Sequence, residues 1–310
     1  MVRHKKFPII GLGGSPLVSG GKTMKIFYKD RLSNGVTGKS MAAKNGSGAA
    51  IEVKNMSHSF RHMGHVVPVL DDVSFTVAPG EFVTVMGASG CGKSTLLNIL
   101  AGFVRPTAGT VACHGYQIAR PGRERGMVLQ TPALYPWFSV MDNVLFGPRA
   151  QGRCSTKQNR AQETEKARAL LREIGLESYE DYPTYKLSGG MKHRVAIART
   201  LIAEPEVLLM DEPFAALDAQ TRLDMQDVLL SIWETHHPTV VFVTHDIEEG
   251  LLLADRTLVL SSGPGRIIQE VQIAAGRPRS TEIAMQQDFI ELRHSVRNLL
   301  RKTNASSNSK

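Results

Sequence analysis

Long apolar runs are absent from this 310-residue sequence. No stretch approaches the roughly 18 uninterrupted apolar residues that a membrane-spanning helix requires. Cysteines are few, and Cys91, Cys113 and Cys154 lack the short paired spacing of a zinc site. We therefore expect a reduced, cytosolic protein without a metal cluster, which needs a partner for any role in transport. The 42% of hydrophobic residues is enough for a large core.

Excess charge is absent from most of the sequence, although the whole chain has a formal net charge of +8. Nine of the 37 basic residues and one of the 29 acidic residues lie in residues 1–50, so residues 51–310 hold 28 of each. A balanced body argues against a nucleic-acid-binding face, and we expect no nucleic-acid partner. Residues 1–50 also lack a hydrophobic period, which predicts a basic, disordered N-terminal extension.

A glycine-rich phosphate-binding pattern is the feature around which the rest of the sequence is arranged. Two glycines separated by four residues and followed by Lys93 and Ser94 stand between a strand pattern at Phe82–Met86 and a leucine-rich helix. Backbone N–H groups and the helix dipole bind phosphate there, Lys93 reaches the β- and γ-phosphates, and Ser94 can ligate Mg²⁺. The predicted nucleotide-binding residues of this loop are Gly87, Ala88, Ser89, Gly90, Cys91, Gly92, Lys93, Ser94 and Thr95.

Two further apolar strand patterns end in residues suited to nucleotide hydrolysis. One leads into Asp211 and Glu212, and Thr239–Thr244 leads into His245. A parallel sheet delivers such strand ends to the edge where the phosphates bind. We predict that Asp211 holds Mg²⁺ directly or through water and that Glu212 orients and deprotonates the attacking water. His245 can hydrogen-bond the γ-phosphate, with a structural role as the alternative.

A second helix start with serine and glycines lies at Leu187-Ser188-Gly189-Gly190-Met191. The N–H groups at this helix start offer another anion site. One phosphate chain cannot easily contact both this site and the phosphate loop of the same subunit. With this segment the sequence resembles the ATP-binding subunits of ABC transporters. The resemblance covers most of residues 51–280 and rests on motifs in the order of that family: the phosphate loop, Gln130, Leu187–Met191, Asp211-Glu212-Pro213, Ala215–Asp218 and His245.

The resemblance implies a fold and a division of the chain. We expect an α/β fold, with a P-loop NTPase (RecA-like) core, an ABC-type antiparallel β subdomain and a helical subdomain. The ABC ATPase domain should span residues 51–280, with its helical subdomain at about residues 131–190. Residues 281–310 should form a C-terminal amphipathic helix and a tail that frays after Lys302.

The resemblance also implies roles that the residues alone leave open. Phe60 would stack on adenine, where the alternative is a partly buried core side chain. Gln130 would link the γ-phosphate and Mg²⁺ to a membrane partner. The implied catalytic residues are therefore Glu212, His245 and Gln130, and the implied metal ligands are Ser94, Asp211 and Gln130. Asp218 would lie in a loop that communicates between subunits. The signature residues that would contact ATP held by the opposite subunit are Ser188, Gly189 and Gly190.

A narrower resemblance is to the nitrate, sulfonate and taurine import group. It rests on Leu134-Tyr135-Pro136-Trp137, Asp142-Asn143-Val144, Phe214–Asp218, Thr244–Glu249, Leu253–Arg256 and Gly263–Arg266. Tyr135, Met191 and Gly250 stand where Leu, Gln and Ala are more usual. Trp137 and Phe138 are predicted to line a groove for a helix of the membrane subunit, with ordinary core packing as the alternative.

The implied protein uses ATP and Mg²⁺ and works as a homodimer. It lies peripherally on the cytoplasmic face of the inner membrane, bound to permease subunits that a periplasmic substrate-binding protein serves. It powers import of a small anion. The alternative is a soluble ABC ATPase of DNA repair or translation, which normally has two cassettes or a long coiled-coil insertion, and the sequence shows neither.

The Cys91 thiol is a candidate for unusual reactivity. It precedes Gly92 and Lys93, and both a lysine cation and a helix N-terminus stabilise a thiolate. We expect a maleimide to modify Cys91 and to block ATP. The alternative is that the side chain points into the core beneath the loop and is inert.

Overall fold

The computed structural model describes residues 48–277 and 279–307. Most of the predicted N-terminal extension, residues 1–47, lies outside the described residues. Ala50, at the predicted boundary, already belongs to the fold, because its side chain is fully buried and its N–H donates to the Val77 carbonyl at 2.8 Å.

The described residues form ten β-strands and eight α-helices, besides short 3₁₀ helices. In chain order they are β1 (Ile51–His62), β2 (His65–Val77), β3 (Phe82–Met86), α1 (Lys93–Ala101), β4 (Ala108–Cys113), β5 (Tyr116–Gln117), β6 (Arg125–Val128), α2 (Val140–Val144), α3 (Phe146–Ala150), α4 (Lys157–Glu173), α5 (Gly189–Leu201), β7 (Val207–Asp211), α6 (Ala219–His236), β8 (Thr239–Thr244), α7 (Ile247–Leu253), β9 (Arg256–Leu260), β10 (Ile267–Gln272) and α8 (Gln287–Ser307).

Two sheets carry the architecture. The central sheet has the order β10-β9-β3-β8-β7-β6, and all its strands are parallel except the edge strand β10. A smaller antiparallel sheet has the order β2-β1-β4-β5. Every residue of β3 and β8 is buried, as expected for strands that are covered on both faces. The predicted α/β class with an antiparallel β subdomain is thus confirmed.

The central sheet separates two hydrophobic cores. Phe82 and Met86 of β3 pack in the core on the side of the helices α4 to α8, whereas Val83 and Val85 pack in the core shared with α1 and the antiparallel sheet. This alternation is the two-residue period of a strand. The phosphate loop, which follows Met86 at the carboxyl edge of the sheet, therefore lies between two packed layers.

The segment between β6 and α5 is helical. It contains α2, α3 and α4 and two short 3₁₀ helices. The N-terminus of α4 is capped, because the Thr156 side chain accepts a hydrogen bond from the Asn159 N–H. Leu170 and Leu171 of α4 and the adjoining Ile174 are all buried, so this edge of the helix packs against the core.

The C-terminal helix α8 packs on the core through Phe289, Leu292 and Val296. Its helical backbone continues to Ser307, and fraying of the tail after Lys302 stays a prediction. The preceding segment is fixed by Arg279, whose buried guanidinium donates to the carbonyls of Leu252, Ala254 and Ala275. Burial without a paired carboxylate lowers the pKa of Arg279 to about 10.

Within the described ranges, no helix combines the length and the apolar character needed to cross a membrane.

Candidate nucleotide site

The phosphate loop connects β3 to α1 as the sequence predicts. Gly92 has φ 101°, and a Cβ at this position would lie 2.8 Å from Leu70 Cδ2, so only glycine fits. The Lys93 side chain is 5% exposed, and its Nζ donates to the Gly87 and Ala88 carbonyls at 3.0 Å each. A buried ammonium is therefore held at the centre of the loop, while Ser89 and Gly90 at the tip are exposed.

Ser94 and Asp211 meet beside the loop. The Ser94 hydroxyl donates to Asp211 Oδ1 at 3.0 Å. Burial raises the pKa of Asp211, and it outweighs the Ser94 hydrogen bond and the nearby Lys93 cation, which lower the pKa. A hydroxyl next to a carboxylate is a donor set of hard oxygens, which fits Mg²⁺. The part of the chain that the structure describes has no group of three or more His, Cys, Asp or Glu residues that could hold a metal by themselves.

Glu212 stands between two of the other predicted residues. Its Oε2 accepts from His245 Nδ1 at 2.9 Å, and its Oε1 lies 3.7 Å from Lys93 Nζ. The Glu212 backbone has φ 43°, a conformation that is costly for a residue with a side chain and that often marks a functional position. Neighbouring strand ends thus bring the lysine, the candidate base and the histidine together.

The geometry at His245 also sets its protonation chemistry. A carboxylate only accepts hydrogen bonds, so Nδ1 carries the proton that binds Glu212. His245 then accepts through Nε2 when neutral and donates through Nε2 when doubly protonated. With its side chain 57% exposed, the ring is open to a ligand on that side.

The signature segment forms the start of α5. Ser188 caps this helix by accepting from the Met191 N–H at 3.3 Å, and both Ser188 and Gly189 are exposed. Gly190 is buried against α6, where a Cβ would lie 2.4 Å from Thr221 Cγ2. The glycine is therefore required by the close approach of two helices, and the exposed serine and N–H groups remain available to an anion.

Phe60 and Gln130 lie on the surface, where ligands can reach them. Phe60 pairs with Val67 across β1 and β2 and is 45% exposed, which argues against the core alternative. Gln130 is exposed and follows β6, whose Val128 pairs with Met210 next to Asp211. Gln130 therefore lies beyond the carboxyl end of β6, and its role stays a prediction.

His193 is a buried link that the sequence did not reveal. It is 2% exposed, with Nδ1 3.0 Å from the Gly189 carbonyl and Nε2 3.1 Å from the Gln130 carbonyl. It thereby joins the signature helix to the segment that carries Gln130. The sequence held one indication of this burial. His193 stands four residues before the buried Ile197, and residues four apart lie on the same face of a helix.

An aromatic cluster follows Gln130. Tyr135 contacts Trp137, Phe138 and Phe146 with ring centroids 5.7, 5.5 and 4.5 Å away. Trp137 is 73% exposed, so it is not the core residue that the alternative required. Tyr135, unusual at this position, occupies the centre of the cluster and lies under the Arg199 guanidinium at 5.7 Å.

The expected reactivity of Cys91 is wrong. Its side chain is 1% exposed and lies in the core beneath the loop, where a Cβ on Gly87 would come within 2.5 Å of its sulfur. Burial raises the pKa of the Cys91 thiol and outweighs the opposing effect of Lys93. The thiol is therefore neutral and sterically protected, and only the backbone of Cys91 belongs to the nucleotide loop.

A maleimide should consequently leave Cys91 unmodified in the folded protein, and ATP hydrolysis should survive the treatment. Mass spectrometry of native and urea-unfolded samples tests this, because unfolding should expose all three free, buried cysteines. Rapid labelling of native Cys91, with MgATP protecting it, would restore the original expectation.

The unusual Gly250 has a packing reason. A Cβ on Gly250 would lie 2.1 Å from Met86 Cε and 3.2 Å from Thr244 Cγ2. Met86 is the last residue of β3 before the phosphate loop, so its long side chain fills the space that an alanine methyl group would need.

We expect Gly250→Ala to lower the free energy of unfolding by about 1 kcal/mol, because overpacking against Met86 and Thr244 should exceed what alanine gains over glycine in a helix. Adding Met86→Leu, which lacks the Cε atom, should recover part of the loss. Urea unfolding of both single variants and of the double variant measures this coupling. Gly276→Ala is a matched control, since a Cβ there meets nothing within 4 Å. Additive effects of the two substitutions would rule out the contact.

The doubly covered parallel sheet, the phosphate loop and the acidic strand end define a P-loop nucleotide-hydrolysing protein. A family model described as ABC transporter matches residues 70–215. The chain belongs to the ABC transporter ATP-binding family, and it is an ATPase subunit whose hydrolysis is coupled to transport.

Individual relatives agree with this assignment. An uncharacterized ABC transporter ATP-binding protein of Methanocaldococcus jannaschii is 46% identical over 252 residues, which cover 81% of this chain and 91% of that protein. The taurine import ATP-binding protein TauB of Pelagibacter ubique is 48% identical over 210 residues, which cover 68% of this chain and 77% of that protein.

Solved structures give the same result for the fold. A bacterial ABC transporter cassette in a dimeric structure superposes with a TM-score of 0.64 at 30% identity, covering 73% of this chain and 100% of the other. A dimeric cassette in a post-hydrolysis state with ADP and phosphate gives a TM-score of 0.63 at 29% identity, with the same shares covered. The predicted family and fold are therefore confirmed.

Proposed function

We propose that this protein hydrolyses ATP to power import of a small anion of the nitrate, sulfonate or taurine type through a membrane permease. The observation that carries the anion class is the 43% to 48% identity to taurine import ATP-binding proteins, over 68% to 73% of the chain. The contacts among Lys93, Glu212 and His245 support the hydrolytic part of the proposal.

In the proposed reaction, Lys93 and the loop N–H groups bind the phosphates, and the adenine ring stacks on exposed Phe60. Glu212 takes a proton from the attacking water, while His245 keeps the Glu212 carboxylate oriented. The buried ammonium of Lys93 offsets the negative charge of the transferred phosphoryl group.

The residues that would hold Mg²⁺ are Ser94, Asp211 and Gln130. The first two already share a hydrogen bond, and the third lies on the adjacent strand end. Bound there, the cation would neutralise charge on the β- and γ-phosphate oxygens.

We further propose that two copies of this chain form the working unit. Ser188 and Gly189 are exposed at a helix start, and they would complete the site of a partner subunit by donating to the γ-phosphate. Dimeric cassettes among the similar solved structures support this arrangement. ATP binding would close the dimer, and hydrolysis would reopen it.

The permease would bind next to Gln130, on the aromatic cluster around exposed Trp137. In this proposal the protein lies peripherally on the cytoplasmic face of the inner membrane, with a periplasmic binding protein delivering the anion. A role in DNA repair or translation has no support from the relatives, and the longest helix between Gln130 and α5 is the 17-residue α4, too short for a coiled-coil arm.

Purification of the tagged full chain from native membranes tests the proposal, and a multi-spanning membrane protein should accompany it. The recovered complex, placed in proteoliposomes with its binding protein, should hydrolyse ATP faster with taurine, an alkanesulfonate or nitrate. Stimulation by a cationic or sugar substrate alone would refute the anion class. Recovery with ribosomes or DNA repair proteins instead would favour the alternative function.

A further inference from the structure

Glu249 is a buried carboxyl group with no part in the hydrolytic scheme above. It lies in the first turn of α7, four residues after His245, and is 4% exposed. Burial, helped by repulsion from Asp246, raises the pKa of Glu249 to about 7, against opposing hydrogen bonds from Thr244 and Gln226 and the charge of Arg222. A group of this kind can change charge in the working range of an enzyme.

The carboxyl group controls the chain on both sides of His245. The Thr244 hydroxyl donates to Glu249 Oε2 and accepts from the Asp246 N–H, the latter at 3.0 Å. His245 stands between the two residues that this pair of hydrogen bonds connects. Thr244 is buried at the end of β8, whereas the His245 side chain next to it is exposed and contacts Glu212.

The same carboxyl group faces α6. Gln226, 5% exposed, hydrogen-bonds Glu249, and one turn earlier Arg222 lies 3.6 Å from Asp246 Oδ2. The first turn of α6 holds Thr221, which packs under the signature residue Gly190. Glu249 therefore connects the histidine segment to the helix that supports the signature.

The other charges near α7 are already paired or distant from this contact. Glu248 points away from the core and binds Arg293 of α8 at 2.6 Å. From β3, Thr84 faces α7 as an uncharged neighbour that donates to the Gly250 carbonyl at 3.3 Å.

We propose that Glu249 is a positioning residue for ATP hydrolysis: its ionised carboxylate holds the Thr244 hydroxyl and thereby keeps His245 against Glu212, and protonation of Glu249 weakens this hold and slows turnover. A hydrogen bond to a carboxylate is roughly twice as strong as one to a neutral carbonyl, which makes the hold dependent on charge. The inference rests on the ATPase activity of the family and is independent of the transported compound.

Stability provides a way to separate positioning from folding. Because the pKa of Glu249 rises from 4.5 to about 7 on folding, the folded protein binds the additional proton between these values. The stability linked to this proton is present at low pH and is lost as the pH rises through about 7. At pH 8 the buried charge therefore opposes folding, and Glu249→Gln should melt at the same temperature as the unmodified protein or higher.

The test measures kcat and KM for ATP between about pH 6 and about pH 8.5 on the full chain. The unmodified protein should lose turnover as the pH falls through about 7. At the upper end of the range, Glu249→Gln should show about tenfold lower kcat with unchanged KM, the effect of about 1.4 kcal/mol lost from a charge-assisted hydrogen bond. The two proteins should converge at low pH, where both carry an uncharged group.

Two further variants sharpen the result. Thr244→Val should remove the same pH-dependent step with Glu249 intact, whereas Glu248→Gln, one residue away and only partly buried, should keep the original profile. All of these proteins contain His245, so a difference between their pH profiles does not come from the loss of that side chain. Identical pH profiles for Glu249→Gln and the unmodified protein would overturn the proposal. So would a Glu249→Gln protein that melts lower at pH 8 and loses kcat and ATP binding together.

Discussion

Glu212→Gln is expected to retain ATP binding while its turnover falls by a factor on the order of 100 or more. The amide keeps the size of the carboxylate and can still contact His245, whose Nδ1 is 2.9 Å from Glu212 Oε2. It cannot accept a proton from water, and it no longer balances the Lys93 ammonium 3.7 Å away. Binding and chemistry should therefore separate in this variant, with ATP trapped in a closed dimer.

Nucleotide affinity, single-turnover hydrolysis and dimer mass, measured on the same preparation, check this expectation. Glu177→Gln, an exposed acidic residue far along the chain, controls for the loss of one charge. Comparison with His245→Ala and the double variant adds a test of the pair: if His245 acts through Glu212, the double variant should be no slower than Glu212→Gln. Turnover of Glu212→Gln near the original rate would remove Glu212 from the role of base.

Lys93→Met is expected to weaken ATP binding by a factor on the order of 100, about 3 kcal/mol, because it removes a buried cation from the phosphate site. Methionine is similar in length and apolar character to the lysine side chain, so the loop should keep its packing. The Gly87 and Ala88 carbonyls would lose the hydrogen bonds that Nζ donates at 3.0 Å, so a small loss of thermal stability should accompany the loss of affinity.

Titration with a fluorescent ATP analogue measures the affinity, and thermal unfolding without nucleotide shows whether the fold is retained. Lys54→Met, at an exposed lysine paired with Glu52, is the matched control and should bind ATP normally. Unchanged affinity of Lys93→Met would exclude Lys93 from phosphate binding, whatever the structural effect.

Much of the fold was predictable because local patterns and function agree in this chain. The strand Thr239–Thr244 has the bounds that its β-branched run predicts, and the glycine loop fixes where β3 ends and α1 begins. Parallel strands carry their chemistry at their carboxyl ends, so the proximity of Lys93, Glu212 and His245 could be anticipated from sequence order.

Cys91 shows where local chemistry was insufficient. Its neighbours along the chain favour a thiolate, but the loop turns the sulfur beneath Gly87 into the core, where desolvation dominates its pKa. The direction of a side chain in an irregular loop depends on backbone dihedrals that no periodic pattern encodes.

The sequence by itself determined the class of protein, the order of the elements and the candidate residues for nucleotide binding, because a phosphate loop, strand periodicity and helix starts are local properties. Only the tertiary structure decided that Met86 occupies the space above Gly250, that His193 bridges two carbonyls, and that Glu249 is buried between α6 and α7. These contacts join residues that are distant along the chain, and both their energies and the pKa of Glu249 depend on what the packed surroundings exclude, above all water.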